Sequence, residues 1–205
     1  PYTTLFRSQI DSGDLGIDSV AVMRGGVLVL EAYKYPTGPE TLHIIHSCTK
    51  SVVSTLIGIA IDKGLIDSVK VPVNQLFSDS EISSDLQLEH LLTMTTGLKS
   101  EDSYLYSWKG LTEMRQSNNW AAHALSRERE ATPGSRFEYS NMSSFLLSAA
   151  LQEAAGLKTE DFAQEYLFSP LGITDYSWPE NPEGINLGWG ELKLKLLDLV
   201  KFGLL

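Results

Sequence analysis

The chain has 205 residues, with 16 Lys and Arg against 26 Asp and Glu, so its formal net charge is −10. So acidic a composition offers no basic surface to release phosphate counterions, which argues against nucleic acid as a partner. The longest apolar run, Val52 to Ile61, is interrupted by Ser54, Thr55 and Gly58 and falls short of the ~20 residues of a membrane span. A single cysteine, Cys48, excludes an internal disulfide framework and a cysteine-rich zinc site.

Residues Pro1–Ser8 (PYTTLFRS) resemble one reading frame of a short-read sequencing adapter. They are set aside as a non-native segment, as a cloning scar would be. Neither an initiator Met nor a charged-then-apolar leader opens the chain, and the closing LLDLVKFGLL reads as an amphipathic helix that simply stops. The expectation is a gene fragment.

Ser19–Arg24 and Val27–Tyr35 are rich in Val, Leu and Tyr, and Gly25-Gly26 separates them. Two central glycines permit the positive φ angles of a tight turn, which predicts a β-hairpin. Apolar residues at consecutive positions of both strands imply that both sheet faces are covered, most economically by helices. A lone hairpin is marginal, nothing later reads as a strand, and partner strands are expected beyond Leu205, which leaves an unpaired strand edge and an exposed apolar patch expected beside the hairpin. Ser47–Lys63 turns helical, apolar nearly all round between Val52 and Ile61, which predicts a central buried helix stopped at Gly64. Further helices are predicted at Leu88–Thr95, Trp108–Gln116, Trp120–Ser126, Met142–Ala155, Thr159–Leu167 and Leu192–Leu205, with Pro and Gly breaking the connections. The organisation is a partial strand-and-helix domain, residues 9–72 and 180–205, interrupted by a helical subdomain over residues 73–179.

The nucleophile elbow G-x-S-x-G and the common nucleotide loops are absent from the sequence. His43 and His46, three apart on an extended approach, point to opposite faces, and His90 and His123 lack ligand company; structural roles suit all four. Ser47-Cys48-Thr49-Lys50 differs from these. Serine and lysine three apart on a helix share one face, with Cβ atoms ~5–6 Å apart. Serine is a poor nucleophile until a base takes its proton, and lysine ordinarily holds its proton up to ~10.4. The helix N-terminus and burial beside Val52 and Val53 both disfavour the ammonium, so Lys50 can act as base or relay. The Ser47 N–H sits where an oxyanion would form. The same serine equally suits an ordinary N-cap.

Tyr139-Ser140-Asn141 follows the Pro133-Gly134 turn and precedes the Met142 helix. A lysine cation favours the phenolate form of a neighbouring tyrosine, so a Tyr/Lys pair could share a proton and activate Ser47. Asn141 could offer its amide to a substrate carbonyl. The alternative is a tyrosine packed against the helical subdomain.

Four blocks carry a family resemblance: SCTKS leading into VVSTLIGIAIDKGLI, then LEHLLTMTTGL, PGSRFEYSN and LFSPLGITDYSW. Together they resemble the serine β-lactamase/penicillin-binding-protein-like hydrolases. The nearest branch is the class C type, with D-alanyl-D-alanine carboxypeptidases, family VIII esterases and nylon-oligomer hydrolases. The resemblance runs from about Ser19 to Leu205. It implies an α/β (α+β) fold of β-lactamase/transpeptidase type, an antiparallel sheet flanked by helices with a helical insert, the C-terminal strands missing here.

By the same resemblance Ser47 is the acylated nucleophile, Lys50 its proton partner, Tyr139 the general base and acid, and Asn141 a substrate-binding amide. It implies an acyl-enzyme route, no cofactor and no metal, and a small-molecule or short-peptide substrate: a β-lactam, D-amino-acid peptide or small ester. Relatives favour a periplasmic or secreted location. The third family motif, a Lys-Thr-Gly or similar triplet on a strand that also supplies an oxyanion N–H, is missing. Gly188-Trp189-Gly190 is not assigned that role, because it precedes a helix. The fragment alone is therefore expected to be inactive and poorly soluble. Two other readings stand beside the hydrolase: a sensor of the same fold that is acylated without turnover, and a scaffold without chemistry. Tyr104, Tyr106, Trp108 and Trp120 are candidates for the cleft wall, or for packing within the insert.

Overall fold

A computed structural model describes residues 8, 16–77, 83–103 and 107–205. The suspected adapter segment, Ser8 apart, lies outside the described residues, as do Tyr104 and Tyr106.

The chain opens with the predicted hairpin, β1 (Ser19–Arg24) and β2 (Val27–Tyr33), turning at Gly25 (φ 58) and Gly26 (φ 77). Its antiparallel register carries a bulge where Val22 faces Leu30 but Met23 faces Leu28. A short β3 (His43–Ile44) leads through a 3-10 turn, His46–Cys48, into α1 (Thr49–Asp62). Then come α2 (Val73–Leu76), α3 (Leu88–Leu92), β4 (Asp102–Ser103), β5 (Ser107–Trp108), α4 (Lys109–Gln116) and α5 (Trp120–Leu125). The longest helix is α6 (Asn141–Ala155), followed by α7 (Thr159–Ala163), which runs into a π turn, Gln164–Phe168. Finally β6 (Lys193–Leu194) pairs antiparallel with β3, and α8 (Leu196–Phe202) packs on β1.

The packing centre differs from the expectation. In α6 every residue from Asn141 to Leu151 is buried, whereas α1 exposes a stripe at Ser51, Ser54, Gly58 and Asp62. Those small or polar residues recur at helical spacing, so their stripe faces solvent while Val52, Val53, Leu56 and Ile57 face the core. Packed together, α1 and α6 form the central layer. The two ends of α6 follow local rules. Ser140 caps the start by accepting from the Ser143 N–H at 3.0 Å, and Gly156, left-handed at φ 63, ends it.

Three further expectations are corrected. The last helix begins at Leu196 rather than Leu192, because Lys193 and Leu194 are taken up as β6 against Ile44 and His43. Strand segments thus do occur after the hairpin, each only two residues long, too short to leave an alternating pattern. Nor is the hairpin covered on both faces: Val27 and Val29 are 61% and 53% exposed, an apolar patch of the kind expected where partner strands are lacking. Among the described residues no helix is long and apolar enough to cross a membrane.

Candidate active site

The front of α1 is built by an unusual backbone step. His46 adopts φ 46, in the left-handed region that β-carbon residues avoid; such conformations persist where surrounding structure holds them, often at functional sites. Here Ile45 N–H donates to Leu192 O at 2.9 Å and Cys48 N–H to Ile45 O at 3.0 Å, tying the turn down on both sides. The step leaves Ser47 exposed one turn ahead of Lys50.

The four predicted residues meet there. Lys50 Nζ lies 3.3 Å from Ser47 Oγ and 2.9 Å from Asn141 Oδ1, donating to both. Ser47 Oγ and Tyr139 Oη are 2.9 Å apart, and either hydroxyl can donate. The lysine also lies 5.1 Å from the centre of the Tyr139 ring, within cation–π range. Residues 92 apart in sequence converge because α1 and α6 pack side by side with their N-termini together. Ser140 remains the cap of α6 and is buried, so Tyr139 and Asn141, either side of it, both reach Lys50.

Sequence reasoning missed one partner: Trp189 O accepts from Lys50 Nζ at 2.6 Å. A carbonyl has no side-chain signature, so only the fold could reveal it. Its position is set by packing. The Trp189 ring sits 5.9 Å from Trp120 and 6.1 Å from Phe145, and a Cβ on Gly188 would lie 2.1 Å from Ser144 O. Only glycine lets that loop approach α6 so closely. Trp120, considered for a cleft wall, is 6% exposed and belongs to this aromatic core. Trp108 is 40% exposed.

The electrostatics follow from burial. Desolvation pushes Lys50 below the usual lysine range, opposed by its interaction with the Tyr139 phenol and by the charge of Asp102. Its three acceptors, Ser47, Asn141 and Trp189, match the three donors of an ammonium. With Lys50 donating to Ser47 Oγ, the serine's own proton is free to point at Tyr139 Oη. Among the histidines, His90 Nδ1 accepts from Gln87 N–H at 3.0 Å as part of a capping box. The described residues hold no cluster of three or more potential metal ligands.

The Beta-lactamase family profile matches residues 3–191. The chain belongs to the Beta-lactamase family. A 6-aminohexanoate-dimer hydrolase of Paenarthrobacter ureafaciens is 21% identical over 199 residues, covering 91% of this chain and 50% of the relative. Among solved structures, a Bacillus anthracis protein assigned as a 6-aminohexanoate-dimer hydrolase superposes with a TM-score of 0.82 at 17% identity, covering 96% of this chain and 55% of its own. An octameric penicillin-binding-protein homologue from Pyrococcus abyssi gives a TM-score of 0.74 at 21% identity, with 98% and 54% covered. These likenesses give the β-lactamase/transpeptidase-like fold. The chain spans about half the length of the curated relative it matches.

Proposed function

We propose that this Beta-lactamase-family chain is part of a serine hydrolase that cleaves an amide or ester through an acyl-enzyme. The observation that carries the reading is one contact set: Ser47 Oγ within 2.9 Å of Tyr139 Oη and 3.3 Å of Lys50 Nζ. With Tyr139 as a phenolate steadied by the Lys50 ammonium, Ser47 Oγ attacks the substrate carbonyl carbon while its proton passes to Tyr139 Oη. The tetrahedral oxyanion is met by the Ser47 N–H. On collapse, Tyr139 returns the proton to the departing amine or alcohol, leaving the acyl group on Ser47. Water then attacks the ester carbonyl, giving a proton to Tyr139 Oη; as the tetrahedral intermediate collapses Tyr139 passes that proton to the departing Ser47 Oγ, and the carboxylic acid leaves with the serine hydroxyl restored. Asn141 holds Lys50 in place and its amide N–H2 is available to a substrate carbonyl. The name of the Paenarthrobacter relative favours an amide between an amino acid and a carboxylic acid among these substrates.

We further propose that residues outside these 205 complete the enzyme. Support comes from the half-length coverage of the relative and from the uncovered Val27 and Val29 of the hairpin. A missing second oxyanion donor slows acylation ~10²–10³-fold, so the chain alone reacts slowly. The test is a fluorescent penicillin and a chromogenic short-chain ester offered to the chain and to a longer gene product containing it. Turnover of either by the longer product, lost in Ser47→Ala, is the expected result. Stable labelling without turnover would make the protein a sensor. No label at Ser47 in either form would overturn the reading.

A further inference from the structure

The segment Ser100–Asp102 takes no part in the proton path above, yet it grips the Tyr139–Asn141 stretch at both ends. Ser100 Oγ donates to Tyr139 O at 2.8 Å, and Ser100 N–H donates to Glu138 Oε1 at 2.8 Å. Two residues on, Asp102 is 5% exposed. Its Oδ2 accepts the Asn141 N–H at 3.0 Å and its Oδ1 the Leu111 N–H at 2.9 Å. Both amides belong to the first turns of helices, α6 and α4, where backbone N–H groups lack partners inside their own helix. One side chain thus binds two helix starts together.

The segment is held under tension. Glu101, between the two gripping residues, has φ 54, a left-handed conformation that a non-glycine residue keeps only where its surroundings hold it. Lys109 and Arg127 both pair with its carboxylate. From below, α4 presses against the segment so closely that a Cβ on Gly110 would lie 1.8 Å from Ser100 O.

A buried carboxylate is costly unless its charge is compensated, and two neutral amides occupy only half of its roughly four acceptor sites. The compensating cation lies across the same amide. Asn141, whose N–H is bound by Asp102, offers its side-chain oxygen to Lys50 Nζ. We propose that Asp102 is a positioning residue of the proposed active site, fixing Asn141 against Lys50 and setting through its charge how tightly Lys50 holds its proton. The titratable groups facing Lys50 are the Tyr139 phenol and the Asp102 carboxyl, and both favour the ammonium that burial disfavours. Asp102 is itself pushed up by burial and drawn down by the Leu111 and Asn141 amides and by Lys50.

This inference deepens the proposed function and rests on it for the catalytic consequence, but its test uses no substrate. Competitive acetylation of the 205-residue chain, read by mass spectrometry across a pH series, reports the protonation midpoint of Lys50 whether or not Ser47 can be acylated. Asp102→Asn is expected to lower that midpoint by on the order of one pH unit. Because its amide must turn an N–H2 toward one of the two N–H donors, hydrogen exchange at Asn141 or Leu111 should also quicken by about tenfold or more. Asp102→Glu, which keeps the charge, is expected to return the midpoint toward wild type. Ser100→Ala removes the Tyr139 tether but no charge and should leave the midpoint in place. A folded Asp102→Asn chain with an unmoved Lys50 midpoint overturns the proposal. If that variant does not fold, Ser100→Ala still decides: a midpoint shift of a full unit there would assign the effect to geometry alone and overturn the role of the charge.

Discussion

The two ends of the molecule's packing are α6 and the β1–β2 hairpin. Both are apolar in sequence, yet Phe145, Ala150 and Leu151 in α6 are 0% exposed while Val27 in β2 is 61% exposed. Burial is therefore set by which neighbours an element finds, since apolar content alone does not separate the two. The proposed active site sits on the well-packed side, at the joined starts of α1 and α6. The hairpin shares none of those contacts.

The sharpest way to break this contrast is by core truncation. Phe145→Ala should destabilise by about 3–5 kcal/mol, read as a drop in the urea midpoint. Val27→Thr together with Val29→Thr should change stability by less than ~0.5 kcal/mol each while reducing aggregation. Equal losses in the two regions would show the hairpin to be as tightly packed as the core. A smaller effect sharpens the same comparison at the site's edge. Ser140→Ala removes the cap of α6 and should cost about 1 kcal/mol. Because Tyr139 and Asn141 flank that cap, the variant should also slow labelling of Ser47 by a larger factor than it lowers the urea midpoint of the bulk fold.

The smallest expected effect is the pH dependence. Lys50 titrates below its unfolded value of ~10.4, so between the two values the unfolded chain binds more protons. Its contribution to stability therefore rises with pH through that window. Asp102 shifts the opposite way, above its unfolded ~3.9. There the folded chain binds more protons, and stability falls as pH rises through the window. Urea midpoints of wild type and Lys50→Met measured from neutral pH upward should show wild type rising relative to the variant as the window is crossed. A wild-type midpoint that falls relative to that of Lys50→Met as pH rises would contradict the assignment of burial as the dominant influence on Lys50.

Sequence reasoning was strongest where geometry is local. The Ser47–Lys50 spacing dictates a shared helical face, and the hairpin follows from Gly25-Gly26 between two apolar runs. Tyr139 and Asn141 were legible because they bracket a helix start. What escaped was anything whose meaning lies across the fold. Asp102 is an ordinary acidic residue until α4 and α6 close over it, and Trp189 acts through a carbonyl shared by every residue type. Trp120 was open to two readings, cleft wall or core, and only the Phe145 and Trp189 rings decide for the core. The exposed stripe of α1 was overlooked because Ser51, Ser54 and Gly58 are small enough to sit in a buried helix.

The central claim is that Ser47, Lys50 and Tyr139 act as one unit, and labelling with a fluorophosphonate probe tests it most directly. Peptide mapping of the labelled 205-residue chain should find the phosphonyl group on Ser47, with the rate lowered by about 10²–10⁴-fold in a folded Tyr139→Phe variant. A label on another residue, or a Tyr139→Phe chain that reacts at the wild-type rate, would contradict the account.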